Sequence, residues 1–233
     1  MATKRIKLWD LPTRLFHWLL VLCVSAALIT GNIGGAAIEW HGRIGLAIVG
    51  LVVFRIVWGL IGSSHARFAS FLPTPASIAA YLRGQWQGIG HNPLGALSVI
   101  GLLALVALQL CTGLFGNDDI AFRGPLYDLI TKDLSDRLTA IHELTSNALI
   151  ALIVLHLAAI AFYAHVKKDN LVKPMITGWK ELQGDEYGES TTGGGAIAFI
   201  VALAIALAAV YGASGAWLAA PPPPAAVQAA PAW

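Results

Sequence analysis

The segment Ile141–His156 reads IHELTSNALIALIVLH, and its two histidines decide the fold. They sit in an apolar stretch, Leu138–Val166, long enough to cross a bilayer, which takes about 20 residues. A strongly polar side chain inside a bilayer is costly and marks a functional position by default. The fourteen residues from His142 to His156 turn a helix through about 1400°, about 40° short of four full turns. Both imidazoles therefore leave nearly the same helix face. The helix rise sets them about 21 Å apart, too far for one metal ion to bridge. Two separate centres at two depths suit the spacing.

Outward from this segment, four more stretches qualify as spans: Leu15–Ile33, Ile38–Ile61, Leu94–Phe115 and Ala196–Leu218. The composition agrees. Hydrophobic residues make up 57% of the 233, charged residues only 12%, and the mean hydropathy is +0.68. Soluble domains carry about 25% charged residues. The expected fold is all-α, an integral membrane helix bundle. The N-terminus, MATKRIKLWDLPTR, is basic and precedes an apolar run as in a signal peptide, but further spans follow, so it reads as the first span. A net charge of +2 gives no reason to expect nucleic acid as a partner. Cys23 and Cys111 lie in apolar runs and read as small buried residues.

Loop charge sets the orientation. Lys4, Arg5, Lys7 and Arg14 precede the first span, Arg67 and Arg83 lie between the second and third, and Lys167, Lys168, Lys173 and Lys180 follow the fourth. These regions are expected in the cytoplasm. Asp118, Asp119, Asp128, Asp133 and Asp136 crowd the opposite loop, diluted by Arg123, Lys132 and Arg137. Five spans then place the N-terminus inside and the C-terminus outside. The fourth span runs from outside to inside, so His142 is outer and His156 inner. The second span also starts outside, which puts His41 (in EWHGRIG) level with His142. The first starts inside, which puts His17 (in RLFHWLL) level with His156. Four histidines thus sort into an outer pair, His41 and His142, and an inner pair, His17 and His156. Haem iron takes axial histidines from facing helices of a bundle. Structural zinc needs its ligands at one point, and the depths disagree. No CxxCH occurs for covalent attachment, so the expectation is two non-covalent haem b groups. Isolated histidines at helix ends are also ordinary interfacial residues.

Other residues have two readings. Arg43 and Arg55 could pair with anionic haem propionates, while Arg55 could instead snorkel to the headgroups. Gly45 and Gly50 could admit a porphyrin to the backbone or allow close helix packing. His165 falls on the face opposite His156 and reads as interfacial. His91, in GHNPLG, is either a residue at a helix start or a proton-handling group. With Arg83 and Trp86 it forms a candidate quinone site, although an outer site near Trp40 is nearly as well supported.

WDLPTRLFHW, EWHGRIG followed by FRIVWGLIGS, GHNPLG, HELTSNALIALIVLHLAAI and VKKDNLVKPMITG together resemble the bacterial cytochrome b561 family and its relatives, the cytochrome b subunits of nickel–iron hydrogenases. The resemblance spans about residues 7–180. It implies a four-helix core with two b haems in the bacterial inner membrane, ligands at His17, His41, His142 and His156, and electron exchange between quinone and a c-type cytochrome or hydrogenase. Residues 1–180 form the expected di-haem domain. A polar, Gly-rich linker (181–195), an additional span (196–218) read as an appended anchor, and a disordered Pro/Ala-rich tail (219–233) follow. A stand-alone quinone oxidoreductase acting, for instance, on superoxide, and a haemless anchor subunit are the competing readings. Membrane lipid is a certain neighbour, and a homodimer is open.

Overall fold

The computed structural model describes residues 4–182 and 188–218. The expected tail, and residues 183–187 of the expected linker, lie outside the described residues. Seven helices and one two-stranded ribbon follow in the order β1 (Lys4–Lys7), α1 (Leu11–Ile33), α2 (Ala37–Ile61), α3 (Pro75–Leu82), α4 (Pro93–Gly113), α5 (Lys132–His165), α6 (Val172–Thr177), β2 (Trp179–Leu182) and α7 (Gly195–Ala213). Among the described residues α1, α2, α4, α5 and α7 are long and apolar enough to cross a membrane. The chain is a multi-pass membrane helix bundle, with the five spans near the expected boundaries.

Local sequence sets the helix starts. The Asp10 carboxylate accepts the Thr13 amide at 2.6 Å and Pro12 occupies the first turn of α1. Asn92 and Pro93 open α4 in the same way. Thr131 caps α5. Side-chain oxygens at these positions satisfy amides that the helix leaves without partners, and proline loses nothing there. The turn from α1 to α2 takes three residues, Gly34, Gly35 and Ala36, with both glycines at positive φ.

The helices associate as α1 with α2, α4 with α5, and α2 with α4. Midway along the bundle, Ile48 and Val52 of α2, Val106 of α4 and Leu149 of α5 form an apolar cluster. Leu149 lies seven residues from both His142 and His156, so this cluster separates the two histidine levels. A second cluster joins Phe16, Phe54, Trp58 and Ala66 to Ala202 and Ala206 of α7. A Cβ on Gly50 would meet Val210 of α7 at 2.9 Å, so α7 packs against α2 along small residues, as membrane helices do. It follows the expected core in sequence but is packed into the bundle rather than hanging from it.

The ribbon is absent from the sequence expectation. β1 and β2 pair antiparallel, Lys4 opposite Leu182 and Lys7 opposite Trp179, and bring the N-terminus to the segment after α5. Ser63 bridges to Gly193, so the α2–α4 connection and the lead into α7 share that end. The last turn of α7 reaches the opposite end, where Gly215 lies under the Pro125 carbonyl. The basic segments therefore gather at one end of the bundle and the acidic loop at the other. Asp10 ties the basic end together. Besides capping α1, it accepts the Trp58 indole N–H at 3.2 Å and the Ser63 hydroxyl. A buried carboxylate is tolerated when such donors surround it. Asp10→Ala should lower stability by about 2–4 kcal/mol, since a cap and two buried hydrogen bonds are lost together. A thermal unfolding midpoint in detergent checks this. Asp128→Ala, which removes only an exposed ion pair with Arg123, should shift it far less.

Candidate functional site

The outer histidines face each other across a cleft between α1/α2 and α4/α5. The His41 and His142 ring centroids are 5.9 Å apart, with planes crossed at 82°. His41 Nδ1 lies 2.8 Å from the carbonyl oxygen of Ala27. His142 Nδ1 lies 3.0 Å from that of Gln109 and 3.2 Å from the Thr112 hydroxyl. A carbonyl can only accept, so Nδ1 carries the proton in both rings and Nε2 keeps its lone pair.

The same device seats both rings. Four residues after Ala27 comes Gly31, where a Cβ would meet His41 Nδ1 at 3.0 Å. Four residues after Gln109 comes Gly113, where a Cβ would meet His142 Cε1 at 2.9 Å. In a helix the residue at i+4 donates to the carbonyl of i. A missing side chain there opens that carbonyl's second lone pair to a ring from the neighbouring helix. The sequence expectation contained neither glycine, nor Gln109 or Thr112. Spacing of four from a glycine is a weak signal without knowing which helix lies opposite.

The cleft between the rings is apolar and narrow, a cavity of about 100 Å³. Val24, Ile48, Val106, Leu110 and Leu149 line it, with Phe122 and Pro125 of the acidic loop at its outer end. A Cβ on Gly45 would project into open space, so this glycine widens the cleft, whereas Gly50 serves helix packing. Two metal–nitrogen bonds of about 2 Å each, the length of histidine–zinc bonds, plus the two half-rings span a distance similar to the observed separation. An apolar slot flanked by two imidazoles with free Nε2 atoms fits a flat, iron-centred macrocycle.

The inner histidines are held differently. His156 Nδ1 lies 3.3 Å from the Ser98 hydroxyl of α4. His17 Nδ1 is buried without a partner, and its ring is edge-on to Trp18 at 5.0 Å. Beside them, outside the spans, His91 is wedged between Trp9 (4.7 Å) and Phe71 (4.6 Å). Burial, reinforced by the neighbouring charges of Arg55, His156, His17 and His65, pulls its pKa down to about 3, so it is a neutral imidazole at physiological pH. His65 is also pushed down by burial, against a hydrogen bond that its ring donates to the Leu8 backbone.

The arginines separate. Arg55 is only 3% exposed, donates to the Ala66 carbonyl at 3.0 Å and lies over the Phe68 ring. Snorkelling is thereby excluded. Arg43 is exposed, 3.8 Å from Glu39 and over the Trp40 ring, and does not line the cleft between His41 and His142. Trp86 shares a polar cavity with His91. Arg83, exposed at the end of α3, does not line it.

Crossed imidazoles in the cleft of a membrane helix bundle define a class of proteins that hold a metal macrocycle between spans. The chain belongs to the prokaryotic cytochrome b561 family, which residues 8–178 match. It is 22% identical over 140 residues to the probable Ni/Fe-hydrogenase 1 B-type cytochrome subunit of Escherichia coli (strain K12), a match covering 45% of this chain and 57% of that protein. The chain thus spans little more than half the length of that relative. Probable Ni/Fe-hydrogenase B-type cytochrome subunits match more fully: that of Azotobacter chroococcum mcd 1 at 23% identity over 223 residues, and that of Azotobacter vinelandii at 22% over 218, each covering 77% of this chain and 90% of the relative. No solved structure matches. The protein is thus a membrane b-type cytochrome, a class defined by haem b.

Gly113→Val should push the His142 ring from its seat and alter or abolish part of the haem absorption. Gly50→Val, at the α2–α7 contact, should weaken α7 packing and leave the absorption as it is. Reduced-minus-oxidised spectra normalised to protein compare the two.

Proposed function

We propose that the protein is a di-haem b cytochrome carrying electrons across the bacterial inner membrane between quinone and a redox partner. The carrying observation is the outer pair, two imidazoles 5.9 Å apart over an apolar cleft with both Nδ1 atoms occupied. His41 and His142 would ligate the outer haem, His17 and His156 the inner one. The bundle's two ends support this pairing, because the structure puts the basic segments at the end of α1 that carries His17 and the acidic loop at the end of α5 that carries His142. A haem iron held by two of these imidazoles would supply a reversible one-electron step and leave no position open for oxygen.

The chain's residues do the rest. The backbone carbonyls of Ala27 and Gln109 fix the tautomer and aim Nε2 into the cleft. Leu149 and its neighbours keep water from the space between the levels. Arg55, buried near the inner end, is placed to offset an anionic propionate, whereas Arg43 is placed at the outer rim. The N-terminus is assigned to the cytoplasm and the end of α7 to the periplasm by the lysine and arginine bias. His91 and Trp86 at the inner end are assigned to quinone. The relatives' names support a hydrogenase as the partner; a c-type cytochrome docking on the acidic loop is the other candidate.

Replacing each histidine by Leu in turn, with haem measured per protein, tests this. One of two haems should be lost each time. His41→Leu and His142→Leu should leave the same residual spectrum, and His17→Leu and His156→Leu the other. Matching residual spectra for His17→Leu and His41→Leu would contradict the pairing. Retention of both haems in any variant would remove that residue from the ligand set.

A further inference from the structure

The connection between α4 and α5 folds back over the mouth of the cleft between His41 and His142, where Phe122 and Pro125 form the outer lining. The Phe122 ring stands on α2 one residue past His41, since a Cβ on Gly42 would meet its Cε2 at 3.0 Å. Gly124 lies against the Gly113 and Leu114 carbonyls, at the turn of α4 that seats His142. One short loop thus touches the neighbourhoods of both outer imidazoles.

The loop is held from two directions. Within it, Asp118 Oδ1 accepts the amides of Ile120, Ala121 and Phe122 at 2.8–2.9 Å, and the Asp118 amide donates to the Phe122 carbonyl at 3.2 Å. The Gly124 amide donates to the Gly116 carbonyl at 2.8 Å, and the Leu126 amide to the Leu114 carbonyl at 2.9 Å. From outside the loop, α7 reaches it. This helix is seated along α2, with Phe199 edge-on to Phe54 at 5.7 Å and to Trp58 at 6.3 Å, and with Val210 against Gly50. Just past its end, Gly215 sits at φ +68°, so close to the Pro125 carbonyl that a Cβ would overlap it. A side chain there is opposed both by conformation and by space. All of α7 lies beyond the residues that match the family, 8–178.

What the loop covers gives the contact a consequence. A ferric haem carries one more positive charge than a ferrous one, and a charge is costlier in an apolar site than in water. An apolar shell that keeps water out therefore favours the reduced state and raises the potential. The exposed carboxylate of Asp119 lies three residues before Phe122, so the Phe122 ring stands between that aqueous surface and the cleft.

We propose that Phe122 and Gly215 are positioning residues for the outer haem: Phe122 plugs the mouth of the cleft, and the end of α7 keeps it there through Pro125. The helix beyond the family core then sets the water access, and with it the potential, of a centre to which it contributes no lining residue. This rests on the outer haem proposed above at His41 and His142.

The test uses the full-length protein in lipid nanodiscs. Redox titration followed by haem absorbance gives the midpoints of the wild type, and the outer one is the midpoint missing from His142→Leu. Phe122→Ala and Gly215→Ala should each lower that midpoint, leave the other in place and keep the haem content. Phe122→Leu, which retains an apolar plug, should stay close to wild type. Gly212→Ala, where a Cβ would meet nothing within 4 Å among the described residues, should change neither. Hydrogen exchange reads the brace without reference to haem: Gly215→Ala should speed exchange of the Gly124 and Leu126 amides about tenfold, or about 1.4 kcal/mol, and Gly212→Ala should not. If Phe122→Ala and Gly215→Ala leave both midpoints where they were, or move only the one that survives His142→Leu, the inference is overturned and the di-haem reading stands. Faster exchange in Gly215→Ala with unmoved midpoints overturns it too, leaving α7 a structural brace. If Gly215→Ala does not fold, Phe122→Ala decides the plug alone. If His142→Leu loses no haem, the outer-haem reading falls and this inference with it.

Discussion

An imidazole inside a bilayer has two nitrogens, and neither can turn to water. This constraint organises the outer half of the protein. His41 and His142 each give the Nδ1 proton to a helix carbonyl, of Ala27 and Gln109, and each carbonyl is reachable because glycine stands one turn later, at Gly31 and Gly113. Once the Nδ1 atoms are satisfied, both Nε2 atoms turn into the cleft, where an apolar lining offers them nothing. α1 packs on α2 and α4 on α5, so the cleft lies between two helix pairs that a haem would hold together. A haem in that cleft would belong to the packing as much as to the chemistry.

The inner end follows a different plan. Asp10 binds the start of α1, Trp58 of α2 and Ser63 of the following loop into one buried unit. The ribbon adds the segment after α5. His91, Arg55 and His65 crowd around it, and His17 and His156 are near enough to act on His91 electrostatically. The outer end is apolar and shaped to hold a cofactor. The other end is polar, built from groups that exchange hydrogen bonds with one another.

Much of this was legible in the sequence because helical periodicity and bilayer thickness are local rules. They sufficed for five spans and for bringing His41 level with His142. What they missed depends on which element lies opposite. Gly31 and Gly113 acquire meaning only when His41 and His142 come across from the neighbouring helices. Lys4–Lys7 and Trp179–Leu182 are each too short and too polar to announce a strand, and pair only because α1 and α5 bring them to the same end. The Ala-rich seventh helix looked like a bare anchor, yet Ala202 and Ala206 are small because α2 lies against them. Arg55 illustrates the converse. Its place near the inner end was legible, but its direction was set by the Ala66 carbonyl and the Phe68 ring, which arrive from a loop.

The central claim is that two imidazole pairs each hold a ferric iron with both axial positions filled. Low-temperature electron paramagnetic resonance of the oxidised protein tests it most directly. Two low-spin ferric centres per chain are expected. At least one should show the strongly anisotropic signal of nearly perpendicular axial imidazoles, because the His41 and His142 planes cross at 82°. A high-spin ferric signal from the intact protein, or a single low-spin centre per chain, would contradict the account.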